Sequence, residues 1–135
     1  MAGWLAPTIG FVIATGLLGV TSKLALRSLQ WQDLLVWTAL AYAAVAVVVL
    51  ISGRGRLRWA ADTPWAIVSG VLPVASLVMF FIAIGAANAS RVVPVSAIYP
   101  LVTVVAAWLL LNETITVTQA FGMLLVIGGV VALTR

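Results

Sequence analysis

The chain has 135 residues, 64% apolar and only 7% charged, where a soluble domain carries roughly 25% charged residues, so water is not its main solvent. Seven basic and three acidic residues give a net charge of +4, but the bases fall in gaps between apolar runs and form no stripe with interleaved polar residues, which argues against a nucleic-acid partner. With no cysteine and no histidine there is no disulfide, no thiolate nucleophile and no Cys/His metal site, and most enzyme chemistry is left without parts.

A hydrocarbon core of ~30 Å needs about 20 apolar residues in helical form, because backbone amides in lipid must be satisfied within the segment. Five runs meet that need, at residues 4–26, 34–51, 65–87, 92–111 and 117–134. The expectation is an all-α integral membrane protein of five transmembrane helices, with residues 1–135 as a single domain and short connections that make neighbours antiparallel. The first run follows Met1-Ala-Gly-Trp4, which lacks the basic segment of a secretory signal, so it is expected to remain as a spanning helix. After the second run, the glycines of Ser52-Gly-Arg-Gly-Arg56 break the helix and the arginines hold the loop in water. Asp62-Thr63-Pro64 then reads as a cap and first-turn proline for the third helix. Pro73 lies inside the third run and Pro94 and Pro100 inside the fourth. Each removes a backbone hydrogen bond and is a candidate hinge, although proline is also tolerated in membrane helices without such a role. Asn112-Glu113-Thr114 is a polar stop, and Thr116 or Thr118 caps the fifth helix. Trp4, Trp31, Trp59, Trp65 and Trp108 stand near run ends, where indoles prefer the headgroup level.

With the amino terminus inside, Arg54, Arg56 and Arg58 are inside and Lys23, Arg27, Arg91 and Arg135 outside, three against four. Setting Lys23 aside as an intramembrane residue makes it three against three. The positive-inside rule then exerts almost no preference, and dual topology is allowed.

In the carboxyl half, Ala89-Ser-Arg-Val-Val-Pro-Val-Ser-Ala-Ile-Tyr-Pro100, Leu109-Leu-Leu-Asn-Glu113-Thr-Ile-Thr116, Gln119-Ala-Phe-Gly122 and Ile127-Gly-Gly-Val130 follow one another at tight spacing. This stretch, residues 89–133, resembles the EamA domain of the drug/metabolite transporter superfamily. In the amino half the likeness rests on a first helix ending in Ser22-Lys23 and on the five-helix count. The family norm is two such domains in one chain, ten helices as inverted repeats, so the resemblance implies a single-domain branch, half of an inverted-repeat transporter. In architecture it is similar to the four-helix small multidrug resistance proteins, which work as antiparallel homodimers. Alternating-access carriers hold substrate at the interface of two inverted repeats, and a dual-inserted homodimer supplies both from one sequence. Gly122 and Gly129, two turns apart on one helix face, are candidate dimer-interface positions, with packing against the chain's own helices as the alternative.

Lys23 is the most informative single residue. An ammonium in hydrocarbon must snorkel, pair or face water, so it is either an interface anchor or a substrate contact, and the resemblance, which places a lysine at the end of this helix, adds weight to the second. Ser96, Tyr99 and Thr103 are spaced three and four apart and are expected to line one polar face of the fourth helix. Thr38 and Tyr42 are four apart in the second helix, and Ser69 and Ser76 seven apart in the third. Each hydroxyl can instead bond its own helix backbone. Trp37 and Trp108 offer aromatic walls, Trp108 equally an anchor. The substrate-binding candidates are thus Lys23, Trp37, Tyr42, Ser96, Tyr99 and Thr103. Asp33, Asp62 and Glu113 flank helices and do not interrupt them, whereas the small multidrug resistance proteins use a carboxylate deep in the first helix. Proton-driven export of organic cations is disfavoured, and Lys23 points toward a substrate with an anionic or zwitterionic group.

The expected function is a secondary transporter or facilitated exchanger, not an enzyme, moving a small metabolite or amphiphile across the cytoplasmic (inner) membrane, with membrane lipid, a second copy and a small-molecule substrate as partners. No cofactor is expected, since there is no glycine-rich phosphate cradle followed by Lys-Ser or Lys-Thr. The alternatives are a flippase for a lipid-linked or phosphate-bearing amphiphile, with Lys23 and Arg27 or Arg91 as headgroup contacts, and a non-transporting subunit of a heteromer, which should show a firm orientation bias.

Overall fold

A computed structural model describes residues 3–134. Arg135, one of the charges in the orientation count, lies outside the described residues. Among the described residues six helices form: α1 (Leu5–Ala25), α2 (Trp31–Ile51), α3 (Thr63–Ala86), α4 (Ala89–Ser96), α5 (Tyr99–Leu111) and α6 (Val117–Thr134). There is no β-strand among the described residues. The chain divides into two compact units, residues 1–86 and 87–135.

In the first unit, α3 packs against both α1 and α2. α2 starts three residues earlier than its apolar run, at Trp31. The backbone N–H of Gln30 donates to Asp33 Oδ2 at 2.9 Å, so the carboxylate stabilises a polar first turn that hydropathy alone leaves in the connection. α3 begins at Thr63, whose Oγ1 accepts from the Ala60 N–H at 2.8 Å, and Pro64 occupies a first-turn position where its missing N–H is no loss. α3 continues unbroken through Pro73. The tight packing lies where the carboxyl-terminal turns of α1 and α3 meet. Gly19 and Ser22 of α1 are buried, as are Phe81 and Ile84 of α3, and Leu26 Cδ1 lies 3.9 Å from where a Cβ on Gly85 would stand. Gly19, Ser22 and Leu26 recur at three and four residues, one face of a helix. Small residues at positions 19 and 22 suit a close approach of α1 to α3, which is how helices associate when lipid is as apolar as leucine. Elsewhere α1 and α2 keep their apolar side chains exposed, a surface suited to hydrocarbon.

In the second unit, α4 packs against α6. The expected continuous fourth helix is corrected here. It begins three residues earlier, at Ala89, and is interrupted at Ala97–Ile98 between α4 and α5. Pro100 is the physical reason: its ring crowds the carbonyl of the residue four before it, Ser96, and it has no N–H to offer that carbonyl. Ser96 is where α4 stops. α5 ends at Asn112 in the left-handed conformation, φ 54°, a terminator role usually filled by glycine and tolerated by asparagine. Among the described residues four segments are long and apolar enough to cross a membrane, Leu5–Ala25, Trp31–Ile51, Thr63–Ala86 and Ala89–Leu111 across its interruption. Val117–Leu133 is a shorter apolar helix, so five full-length spans are not what length and composition alone support.

Candidate functional site

Lys23 stands on the same turn of α1 as the buried Ser22, and its Nζ donates to the backbone carbonyl oxygen of Ile84 at 2.8 Å. Because α3 ends at Ala86, that carbonyl is among the last four of the helix, which have no intrahelical partner. An ammonium there satisfies a carbonyl and faces the negative end of the helix dipole. Lys23 thus ties α1 to α3, a role beyond the anchor and the substrate contact that the sequence offers. The two residues are 61 positions apart, and nothing in the periodicity of either run pairs them.

On α2, the Thr38 hydroxyl donates to the Leu34 carbonyl at 2.9 Å. Trp37 and Tyr42 are exposed, and five residues on a helix of 3.6 per turn separate them by about 140°. The fold does not bring these two onto one face. On α3, the Ser76 hydroxyl donates to the Pro73 carbonyl at 2.9 Å.

In the second unit the interruption divides the expected polar face. Ser96 closes α4 and Tyr99 opens α5. Tyr99 and Thr103 still share a face of α5, with the Thr103 hydroxyl donating to the Tyr99 carbonyl at 3.4 Å. The Ser96 hydroxyl donates to Val93 O at 2.7 Å, so its proton is committed to its own helix while its lone pairs stay available. Between the helices the chain makes a tight turn of i→i−3 bonds, Ala97 N–H to Pro94 O at 3.1 Å, Ile98 N–H to Val95 O at 3.2 Å and Leu101 N–H to Ile98 O at 2.9 Å. Such 3₁₀ geometry inside a span marks a joint and not a gap. Pro94 and Pro100 flank it, and the Ser96 carbonyl has no amide to receive from Pro100.

Gln119 is a residue that sequence reasoning left without a role. Its Oε1 accepts from the Thr116 backbone N–H at 2.8 Å and from the Thr116 hydroxyl at 3.0 Å, and the Gln119 N–H donates to Thr116 Oγ1 at 3.3 Å. This is a capping box, and the signal for it, Thr116-Val-Thr-Gln119, is present in the sequence. Further along α6, a methyl built at Gly122 or Gly129 meets nothing within 4 Å. Neither glycine is therefore spent on close packing with α4 or α5 of its own unit. Among the described residues no three His, Cys, Asp or Glu side chains gather in a way that could hold a metal ion.

The profile of the EamA-like transporter family matches residues 3–135. The chain belongs to the EamA-like transporter family. It is therefore a multi-pass membrane protein of the drug/metabolite transporter superfamily. A protein of Methanocaldococcus jannaschii described as uncharacterized is 41% identical over 69 residues, which take in 51% of this chain and 50% of the archaeal protein. The match thus spans half the length of that relative. No solved structure matches significantly. For an EamA-like chain, the joint between α4 and α5 is the notable site: a polar, proline-flanked turn inside a 23-residue apolar segment.

Proposed function

We propose that this EamA-like chain is a half-size carrier that moves a small metabolite or amphiphile across the cytoplasmic (inner) membrane by facilitated exchange or secondary transport. The interruption at Ala97–Ile98 carries the reading. Irregular backbone at membrane depth is tolerated only against protein or a water-lined cavity, and discontinuous helices are what secondary transporters use to present unpaired backbone groups to substrate. In this reading the Ser96 carbonyl and hydroxyl oxygens, Tyr99 and Thr103 contact the substrate, and Pro94 and Pro100 let α4 and α5 move against each other. Within the first unit, Lys23 meets an anionic or zwitterionic group by exchanging its bond to the Ile84 carbonyl, and Trp37 and Tyr42 offer aromatic contacts on separate faces of α2. Pro73, inside the continuous α3, serves as a second point of flexing.

α6, with 18 residues, reaches ~27 Å at 1.5 Å per residue and crosses the core with little tilt, as the fifth span. One five-helix repeat needs a second copy in the opposite orientation to complete an alternating-access pair. The balanced charges allow that insertion, and Gly122 and Gly129, two turns apart on one face of α6, suit close approach of two α6 backbones. The test is reconstitution of the chain into liposomes with a metabolite panel, together with single cysteines placed near Arg54 and labelled from each side. Saturable, substrate-specific uptake with labelling from both sides is expected. Absence of any saturable flux would remove the carrier reading, and one-sided labelling with full flux would replace the antiparallel dimer by a parallel or heteromeric assembly.

A further inference from the structure

The connection between α2 and α3 is a built loop, pinned at both ends. Ser52 closes α2 with its N–H on Val48 O at 2.9 Å and its hydroxyl on Val49 O at 2.9 Å. Gly53 follows at φ +68°, a left-handed turn that costs a non-glycine residue about 1–2 kcal/mol. The chain then folds back, so that Gly55 N–H donates to Val49 O at 3.2 Å, and a Cβ on Gly55 would stand 2.6 Å from Val49 Cγ1. At the far end, Ala60 and Thr63 exchange two bonds, Ala60 N–H to Thr63 Oγ1 at 2.8 Å and Thr63 N–H to Ala60 O at 3.1 Å.

Held this way, Arg54, Arg56 and Arg58, with Gly53 and Gly55, line a concavity of about 680 Å³. Leu57 and Trp59, which alternate with those arginines, do not line it and are 92% and 87% exposed. No ion pair holds any of the three guanidinium groups among the described residues, and residues 52–61 contain no acid. A loop that only marks one side of a membrane needs charge, but it has no use for a leucine and a tryptophan left so exposed. Each would contribute about 1.5–3 kcal/mol if buried. Guanidinium groups match phosphate oxygens in a planar, two-bonded geometry, while an indole and an isobutyl group suit the headgroup boundary just beyond the end of a spanning helix.

We propose that this loop is a binding site for the phosphate of an anionic phospholipid, with Arg54, Arg56 and Arg58 around the headgroup and Leu57 and Trp59 inserted beside its acyl chains. The site is separate from the carrier function and needs only membrane insertion. The alternation does the work: one side of the loop neutralises the phosphate, and the other anchors the loop at the depth where that phosphate lies.

The experiment uses the full chain in phosphatidylcholine vesicles containing phosphatidylglycerol, with bromine on the acyl chains of one lipid or the other. The Trp59 signal is taken as the difference between the native chain and Trp59→Phe. Brominated phosphatidylglycerol is expected to quench it several-fold more than brominated phosphatidylcholine at equal content. R54Q, R56Q and R58Q should each weaken that preference roughly 5-fold, while the corresponding lysine variants retain part of it. If glutamine variants fail to insert, the comparison of the two brominated lipids on the native chain still decides. Equal quenching by both lipids, no quenching by either, or displacement of phosphatidylglycerol by inorganic phosphate at matched ionic strength would each overturn the proposal, the last in favour of a free-anion site.

Discussion

Replacing Lys23 by methionine keeps the length and most of the apolar stem of the side chain while removing the donor to Ile84 O, 2.8 Å away. Two effects oppose each other. A hydrogen bond from a charged donor contributes about 1.5–3 kcal/mol, whereas an ammonium at the centre of a spanning helix costs about 2.5–3.5 kcal/mol on insertion scales. Lys23 is the nineteenth of the 21 residues of α1, ~27 Å along the axis from Leu5, at the edge of the hydrocarbon where most of that cost has gone. The hydrogen bond therefore wins. Lys23→Met should destabilise the chain by about 1–2 kcal/mol once its packing is credited, a shift of roughly 5- to 30-fold in the folding equilibrium. Unfolding by sodium dodecyl sulfate in mixed micelles, followed by circular dichroism, measures it, and faster amide exchange should be confined to the ends of α1 and α3. Arg27→Met, in the exposed turn after α1, is the control. A loss for Lys23→Met no larger than for Arg27→Met would refute the assignment of Lys23 as the tie between these helices.

Gln119→Leu removes the acceptor for the Thr116 N–H and should cost about 0.5–2 kcal/mol, seen as fraying of the first turn of α6 by amide exchange while the rest of the helix stays protected. Pro100→Ala gives the Ser96 carbonyl an amide and should join α4 to α5; protection at the new residue-100 amide, higher thermal stability and several-fold slower transport are expected together, and unchanged transport in a joined helix would dismiss the joint as a working part. Gly122→Leu and Gly129→Leu should each weaken self-association on the order of tenfold, read by cross-linking in detergent, with helicity unchanged because leucine is a better helix former than glycine. Unaltered association in both variants would move the contact between copies to another face.

The boundaries of α1, α3 and α6 were legible to within two residues, because in lipid the length of an apolar run and the backbone's need for internal hydrogen bonds nearly determine a helix. The start of α2 was not, since a polar turn closed by Asp33 belongs to the helix by hydrogen bonding and not by hydropathy. The fourth run shows a conflict between rules: spacing places Ser96, Tyr99 and Thr103 on one face only if the helix is continuous, and Pro100 breaks it at Ser96. The proline was visible, but periodicity does not rank a steric clash above apolar continuity. The bond from Lys23 to Ile84 was illegible for another reason. It depends on which helix end lies beside which, and no residue within one run carries that information.

The packing of residues 19–26 of α1 against the end of α3 has a consequence for how this chain can change over generations. Within a single copy, positions from Leu5 to Leu17 are exposed and answer only to the demand that they be apolar and helical, so leucine, valine, isoleucine and phenylalanine should exchange there at little cost. Gly19 and Ser22 are buried, so a larger residue at either has no open space to enter and must wait for a compensating change in what surrounds it. One helix thus holds two substitution regimes, a permissive stretch and a coupled one, with Leu18 at the boundary.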